Sequence, residues 1–320
     1  MRRIETGRGH VAGVCTLALL AGASVLVGAG DPWRGDLDAR MVLAVSRIPR
    51  TCAALLAGAG LALAGVVIQQ TVRNRLVEPG LSGTPEAAMI GLMAVTLIAP
   101  GAALLTKMSA AAALALAGTG GFFLLARRVP RRDPMLLPLV GLIYAGILGS
   151  IAMWIAWTTD LVQLVGIWQT GEFSGVLSGR YELLWLVAGL AGLLYLIADR
   201  ITILGLGEDH ARALGLDYRK TVLAGLAIVA MNVAVVVATV GAMPFVGLVV
   251  PNLASRWWGD NLRRNLPRIA MLGGGLVLAA DLTGRLLRWP YEIPAASVFA
   301  VAGAALFLWL INAPGSRDHG

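Results

Sequence analysis

Charge is scarce in this chain, and acidic charge scarcer still: 14% of its 320 residues are charged, with 26 Lys and Arg against 18 Asp and Glu. A soluble domain carries about 25% charged residues, so a mean hydropathy of +0.77 places most of the chain in lipid. That excludes a nucleic-acid-binding domain, a disulfide scaffold and a disordered chain. Cysteine is nearly absent as well. Cys15 and Cys52 stand in or beside apolar runs without CxxC spacing, and read as small packing residues rather than as a disulfide or metal pair. His10, His210 and His319 lie in polar segments and share no ligand spacing, so neither a metal site nor a cofactor is expected. Nor is there a GxxxxGK(S/T) loop for nucleotide phosphates, an Asp-rich prenyl-diphosphate motif, an HExxH or a Ser/His/Asp set. The polypeptide is therefore expected to hydrolyse nothing by itself.

What is present is a series of apolar runs punctuated by Gly, Pro and charge. A span needs about 20 apolar residues, and the pattern predicts ten: Val11 to Gly30, Arg50 to Gln70, Thr84 to Ala99, Met108 to Ala126, Met135 to Ala156, Leu183 to Ala198, Thr221 to Val240, Phe245 to Trp257, Ile269 to Leu287 and Pro294 to Ile311. The first run is longer than a signal-peptide core of about 7 to 15 residues, and reads as a retained helix with Arg2, Arg3 and Arg8 on its inner side. With the N-terminus inside, 18 of the 26 basic residues fall in inner segments, and eight, including Arg34, Arg40, Lys107, Arg180 and Arg288, fall outside. Arg73, Arg75, Arg127, Arg128, Arg131, Arg132 and Arg317 are among the inner ones, as the positive-inside rule requires. Both termini are then cytoplasmic in a multi-pass inner-membrane protein.

Glycine is abundant, with 40 residues. Runs such as Gly58 to Gly60 and Gly273 to Gly275 predict close helix packing. Trp257, Trp258 and Trp289 fall at interfaces, where Trp is enriched. Two stretches break the pattern of short loops. The chain from Trp157 to Glu182 is expected to form an amphipathic helix on the outer surface, and 199–220 a short cytoplasmic helix with a Gly-broken turn. That second segment suits docking to a soluble partner, or is a plain solvated connector. A weak inverted repeat relates about 47–156 to 219–311 within one transmembrane domain spanning 1–320. Asp281 is the one acid assigned to a span interior, and its i, i+4 spacing to Arg285 suits an ion pair. Without a second intramembrane acid, an ion-coupled carrier is poorly supported, and a membrane-embedded enzyme is a third class.

Five segments carry more information: RIPRTCAALLAGAGLALAG at 47–65, RNRLVEPGLSGTPEAA at 73–88, LGEDHARALGLDYRKT at 206–221, FVGLVVPNLASR at 245–256 and ADLTGRLLRWPYEIP at 280–294. In these residues, in order from about Arg47 to the C-terminus, the chain resembles the FecCD-type permease subunits of ABC importers for ferric siderophores, haem and cobalamin. The resemblance implies an all-α type II importer fold of about ten helices and pairing with a second permease, identical or related. It also implies two separate ATPase subunits inside and a periplasmic or lipid-anchored solute-binding protein outside. Asn252, where many members have His, together with GDNLRRNLP at 259–267 and RWPYEIP at 288–294, resembles the ferric catecholate siderophore branch; haem or cobalamin is the alternative cargo.

By the same resemblance, Arg47, Arg50 and Arg285 dock the binding protein through a glutamate on each of its lobes, the alternative being that some of them snorkel or pair locally, with Asp281 competing for Arg285. Glu208, Ala211, Arg212 and Gly215 belong to the segment that seats on the ATPase. Gly141, Gly146 and Gly149, on the fifth span, lie along the translocation path and gate, as does Asn252, although each of these also reads as packing or capping.

Overall fold

Lipid offers no partner for backbone N–H and C=O groups, so apolar runs must satisfy them internally as helices. The computed structural model describes residues 2–27, 37–130, 135–179, 181–288 and 291–312, with side chains from residue 13 in the first stretch and residue 40 in the second. It is all-helical there, without strands among the described residues. Arg34, Arg131, Arg132, Arg180, Trp289, Arg317 and His319 lie outside the described residues, as do the side chains of Arg2, Arg3, Arg8 and His10.

The helices are α1 (Arg2–Leu26), α2 (Leu37–Val42), α3 (Ile48–Val72), α4 (Thr84–Ile98), α5 (Leu104–Ala126), α6 (Leu136–Thr158), α7 (Val162–Thr170), α8 (Trp185–Leu204), α9 (Glu208–Ala213), α10 (Tyr218–Val240), α11 (Val246–Trp258), α12 (Leu262–Leu287) and α13 (Ala295–Asn312). Each of the ten expected spans has its helix, and α2, α7 and α9 are short additions. A single π turn, Leu43–Arg47, joins α2 to α3. Pro49 follows within the same unbroken helical run, and the Val45 carbonyl four residues before it, which proline has no N–H to reach, accepts from Ser178 N at 2.9 Å.

At 1.5 Å per residue a helix needs about 20 residues to cross a hydrocarbon core of about 30 Å. α3 and α10, of 25 and 23 residues, meet this and are buried through most of their length. α4 and α11, of 15 and 13 residues, do not. Each is preceded by chain outside the α-helices, 73–83 with a 3-10 turn at Pro79–Ser82 before α4, and 241–245 before α11. These two segments meet inside the protein. The Phe245 N–H donates to Glu78 Oε1 at 3.2 Å, and Gln69 Nε2 donates to the Gly247 carbonyl at 3.2 Å. Irregular backbone at membrane depth is tolerated only when buried in protein in this way.

Small residues set the helix spacing. A Cβ on Gly58 would stand 2.3 Å from the Gly273 carbonyl oxygen, and one on Gly65 would stand 2.0 Å from that of Gly247. α3 therefore touches α12 and α11 backbone to backbone. The start of α4 is pinned by hydroxyls: Ser82 Oγ lies 2.6 Å from Thr84 Oγ1, which lies 2.7 Å from Thr119 Oγ1 on α5. Tyr144 of α6 donates to the Gly118 carbonyl at 2.9 Å.

Two expectations are corrected here. The stretch 157–182 is not one surface helix: α7 covers nine residues, and the chain after it is not helical until Tyr181, with Gly171, Phe173 and Val176 buried and the residues between them largely exposed. Glu172 N donates to the Val240 carbonyl and Ala296 N to that of Gly171, because α10 and α13 leave orphan end groups there. Asp281 is also not the sole acid in the bundle, since Glu78 is buried and Glu86 stands in the first turn of α4.

Candidate functional site

At one end of the bundle, Asp281 on α12 gathers an arginine lattice. Its side chain is 2% exposed, and Arg50 Nη2 approaches Oδ1 to 2.7 Å while Arg285 Nη2, one turn along the helix, approaches Oδ2 to 2.5 Å. Arg50 Nε completes a fork on the same carboxylate at 3.2 Å and 3.3 Å. Its remaining Nη1 reaches Glu292, at 2.8 Å and 3.1 Å. Guanidinium suits this position because it presents a planar set of donors and stays ionised.

The other two arginines face inward. Arg285 Nη1 donates to the carbonyls of Ser24 and Val27, and its Nη2 to Ser24 Oγ at 2.6 Å. Arg47 Nη1 donates to the carbonyls of Val25 and Leu26, each at 3.2 Å. These are carbonyls at the end of α1, which have no helical donor and carry the negative end of the helix dipole. Arg47 and Arg285 thus cap α1 and are buried, the local pairing that was the alternative to docking, and Arg50 retains 13% side-chain exposure.

The opposite end carries α9. Ala211 is fully buried, so it anchors the helix to the protein instead of facing outward. Glu208 pairs with Arg212 at 2.6 Å and with Arg127 at the end of α5 at 3.6 Å. Gly207, at φ 107°, lies under Arg73, whose Nη1 would be 2.5 Å from any Cβ there. Gly215, at φ 76°, has open space around it. Leu206 and Leu214, 54% and 64% exposed, are the outward apolar side chains that sequence reasoning missed. Asp217 caps α10 by accepting from Lys220 N at 3.1 Å. The backbone N–H and ammonium of Lys220 hold its carboxyl below the ordinary aspartate range.

The α6 glycines divide. Gly141 closes on the Leu81 carbonyl, 2.5 Å from where its Cβ would be, which is packing. Gly146 has nothing within 4 Å, and at Gly149 the near atom is Glu86 Cγ at 3.6 Å. Asn252 is not brought to this face. Its Nδ2 donates to the Arg75 and Leu248 carbonyls at 2.9 Å and 2.7 Å. It lines a polar cavity of about 370 Å³ with Gln69, Gln70, Arg73 and Asn265. Among the described residues no cluster of His, Cys, Asp and Glu could hold a metal ion.

These features sit on a known plan, since residues 11–313 match the FecCD transport family. The chain belongs to the FecCD family. It is 37% identical over 278 residues to the petrobactin import system permease protein FatD of Bacillus anthracis, covering 87% of this chain and 83% of that protein. With the petrobactin permease YclN of Bacillus subtilis it shares 38% over 300 residues, covering 92% and 95%. The ferric-anguibactin permease FatD of Vibrio anguillarum is 35% identical, with 92% and 94% covered. Among solved structures, an inward-facing metal-chelate type ABC transporter superposes with a TM-score of 0.80 at 25% identity, over 94% of this FecCD chain and 97% of that one.

Proposed function

We propose that this FecCD chain is the membrane permease subunit of an ATP-driven importer that moves a ferric siderophore across the cytoplasmic membrane. The observation that carries the reading is its FecCD membership along almost its whole length, with relatives named as petrobactin and anguibactin permeases. ATP hydrolysis belongs to a separate subunit. The arginine-rich α9 end, with Arg73, Arg75, Arg127, Arg128, Arg200, Arg212 and Arg219, faces the cytoplasm, and both termini lie on that side. Leu206 and Leu214 on either side of α9 form the contact for the ATPase, with Glu208 and Arg212 fixing the helix and Gly215 ending it.

At the opposite end Arg50 and the exposed Arg288 take the carboxylates of a solute-binding protein. Arg47 and Arg285 position Arg50 through α1 and Asp281. The exposed face of α6, with Gly146 and Ser150, lines the path between two permease subunits. Two helices that start at mid-depth after irregular backbone, α4 after α3 and α11 after α10, support inverted halves at about 47–156 and 219–311. Similarity to vitamin B12 permeases, at 34 to 36% identity, keeps cobalamin as a second cargo.

The test is to assemble the chain in nanodiscs with its ATPase and measure ATP turnover on adding the binding protein loaded with ferric siderophore or with cobalamin. Stimulation by the ferric form supports the reading. Stimulation by cobalamin alone replaces the cargo, and failure to assemble with any ATPase refutes the proposal.

A further inference from the structure

Most arginines at the α9 end answer an acid. Arg263 takes Asp199 at 2.6 Å, Arg75 takes Asp260 at 2.8 Å and Arg212 takes Glu208 at 2.6 Å. Arg200, near the end of α8, is exposed and pairs with no acid among the described residues. It lines a cavity of about 510 Å³ between α8 and α10, together with Lys220 of the first turn of α10. Asp217 is the one carboxylate among the described lining residues, and it is engaged by Lys220 Nζ at 3.0 Å and by the Lys220 N–H at 3.1 Å. Arg219, near enough to act on Asp217, brings the rim to three cations against one carboxylate. The rim therefore keeps a positive excess that nothing in the described protein neutralises.

Depth and shape say what could neutralise it. Arg200 stands four residues before the end of α8, and Lys220 two after the start of α10. Those offsets are about 6 Å and 3 Å along the helix axes, which puts both cations at the membrane boundary, where headgroups lie. Away from the boundary the two helices present apolar stripes. On α8, Leu186, Gly189, Leu193 and Ile197 share one helical face with Arg200, and on α10 Lys220 is followed on its own face by Ala224, Ala227 and Met231. Leu193 and Met231 are 48% and 42% exposed, and Gly189 has nothing within 4 Å, so the stripes are open to lipid. Beside the cavity the helices meet directly, since a Cβ on Gly225 would stand 3.4 Å from Ile201 Cδ1. A soluble anion uses only the cations. A basic rim at headgroup depth, continued by an apolar trough, fits an amphiphile with a phosphate at one end.

We infer that the cavity between α8 and α10 binds an anionic phospholipid, its phosphate held by Arg200 and Lys220 and one acyl chain lying along Ile197, Leu193 and Ala224. The headgroup then rests against Gly215 and Leu216, the turn that closes the α9 segment. The inference needs neither the identity of the cargo nor the coupling role of α9.

The experiment titrates the full chain, purified in detergent, with a phosphatidylglycerol that carries a diazirine on one acyl chain, and maps the photo-adducts by peptide mass. Adducts should fall on 186–200 and 220–231, and should saturate at lower concentration than with the matching phosphatidylcholine. Each cation contributes about fivefold, so Arg200→Gln with Lys220→Gln should weaken phosphatidylglycerol labelling about thirtyfold. Arg200→Lys should retain it, and phosphatidylcholine labelling should change in neither variant. Ala224→Trp, at an exposed position, should fill the trough and abolish labelling with both cations in place, and millimolar glycerol 3-phosphate should not compete. Equal labelling by the two lipids, or labelling that survives the double replacement, would overturn the inference. Displacement by glycerol 3-phosphate with indifference to Ala224→Trp would make this a site for soluble phosphate and overturn it equally.

Discussion

Replacing Asp281 with Asn removes the shared negative charge between Arg50 and Arg285 while keeping size and shape. Arg50 has 13% exposure and keeps Glu292, so its charge remains partly answered by solvent and by a second carboxylate. Arg285, at 4% exposure, is left with only the Ser24 and Val27 carbonyls and the Ser24 hydroxyl as its known acceptors. Each pair is worth about 4 kcal/mol of gross attraction at an effective dielectric near 20, most of it offset by the cost of burying the ions. Stranding a buried charge costs about 3 to 5 kcal/mol in measured cases, and the partial compensation at Arg50 places Asp281→Asn near the lower figure, about 3 kcal/mol. For a chain of this length that is a fall of about 5 °C in Tm, read by thermal unfolding in nanodiscs. Because Arg285 ties α12 to the end of α1, proteolysis near residue 27 should rise in parallel. A Tm unchanged by Asp281→Asn would show that the carboxylate is not the centre of the lattice.

Three further outcomes follow from the geometry. Leu214→Glu, at a 64% exposed position, should leave Tm within about 1 °C and lower uptake at least tenfold by uncoupling the ATPase, whereas Ala211→Glu at a fully buried position should lower Tm and expression; both are read on the same purified assembly. Gly58→Ala puts a Cβ 2.3 Å from the Gly273 carbonyl, which forces α3 and α12 apart at a cost of about 1 to 3 kcal/mol, measurable as a Tm loss that Cys52→Ala does not show. Since Asp217 titrates below the ordinary aspartate value of 3.8, its cap on α10 is fully present above that pH and lost as pH falls through the lowered value. Amide protection at Lys220 and Thr221, corrected for intrinsic exchange, should hold down to about pH 4 and drop below it.

The helices were legible because lipid allows little else: a run of about 20 apolar residues has no alternative to helix. The short α4 and α11 were legible as spans, but the depth at which they begin was not, because that depends on Gly65, Gly247 and Pro79 meeting across the bundle. Hydropathy assigns arginines to surfaces, and so it missed that Arg47 and Arg285 close the carbonyl end of α1. Gly141 and Gly146 look alike in sequence and differ only in what stands opposite, the Leu81 carbonyl for one and open space for the other. Glu78 and Glu86 lay in plain view within RNRLVEPGLSGTPEAA. The available signal was the rarity of acid, 18 in 320 residues, with two of them this close to an apolar run.

Whether the chain is one half of a conduit driven by an external ATPase is tested most directly by uptake of iron-55 siderophore into proteoliposomes holding the permease, its ATPase and the loaded binding protein. The account predicts uptake that requires enclosed ATP on the ATPase side, stops when the catalytic glutamate of the ATPase is replaced, and is indifferent to ionophores that collapse proton and sodium gradients. Uptake by the permease alone that follows an ion gradient and ignores ATP would contradict it.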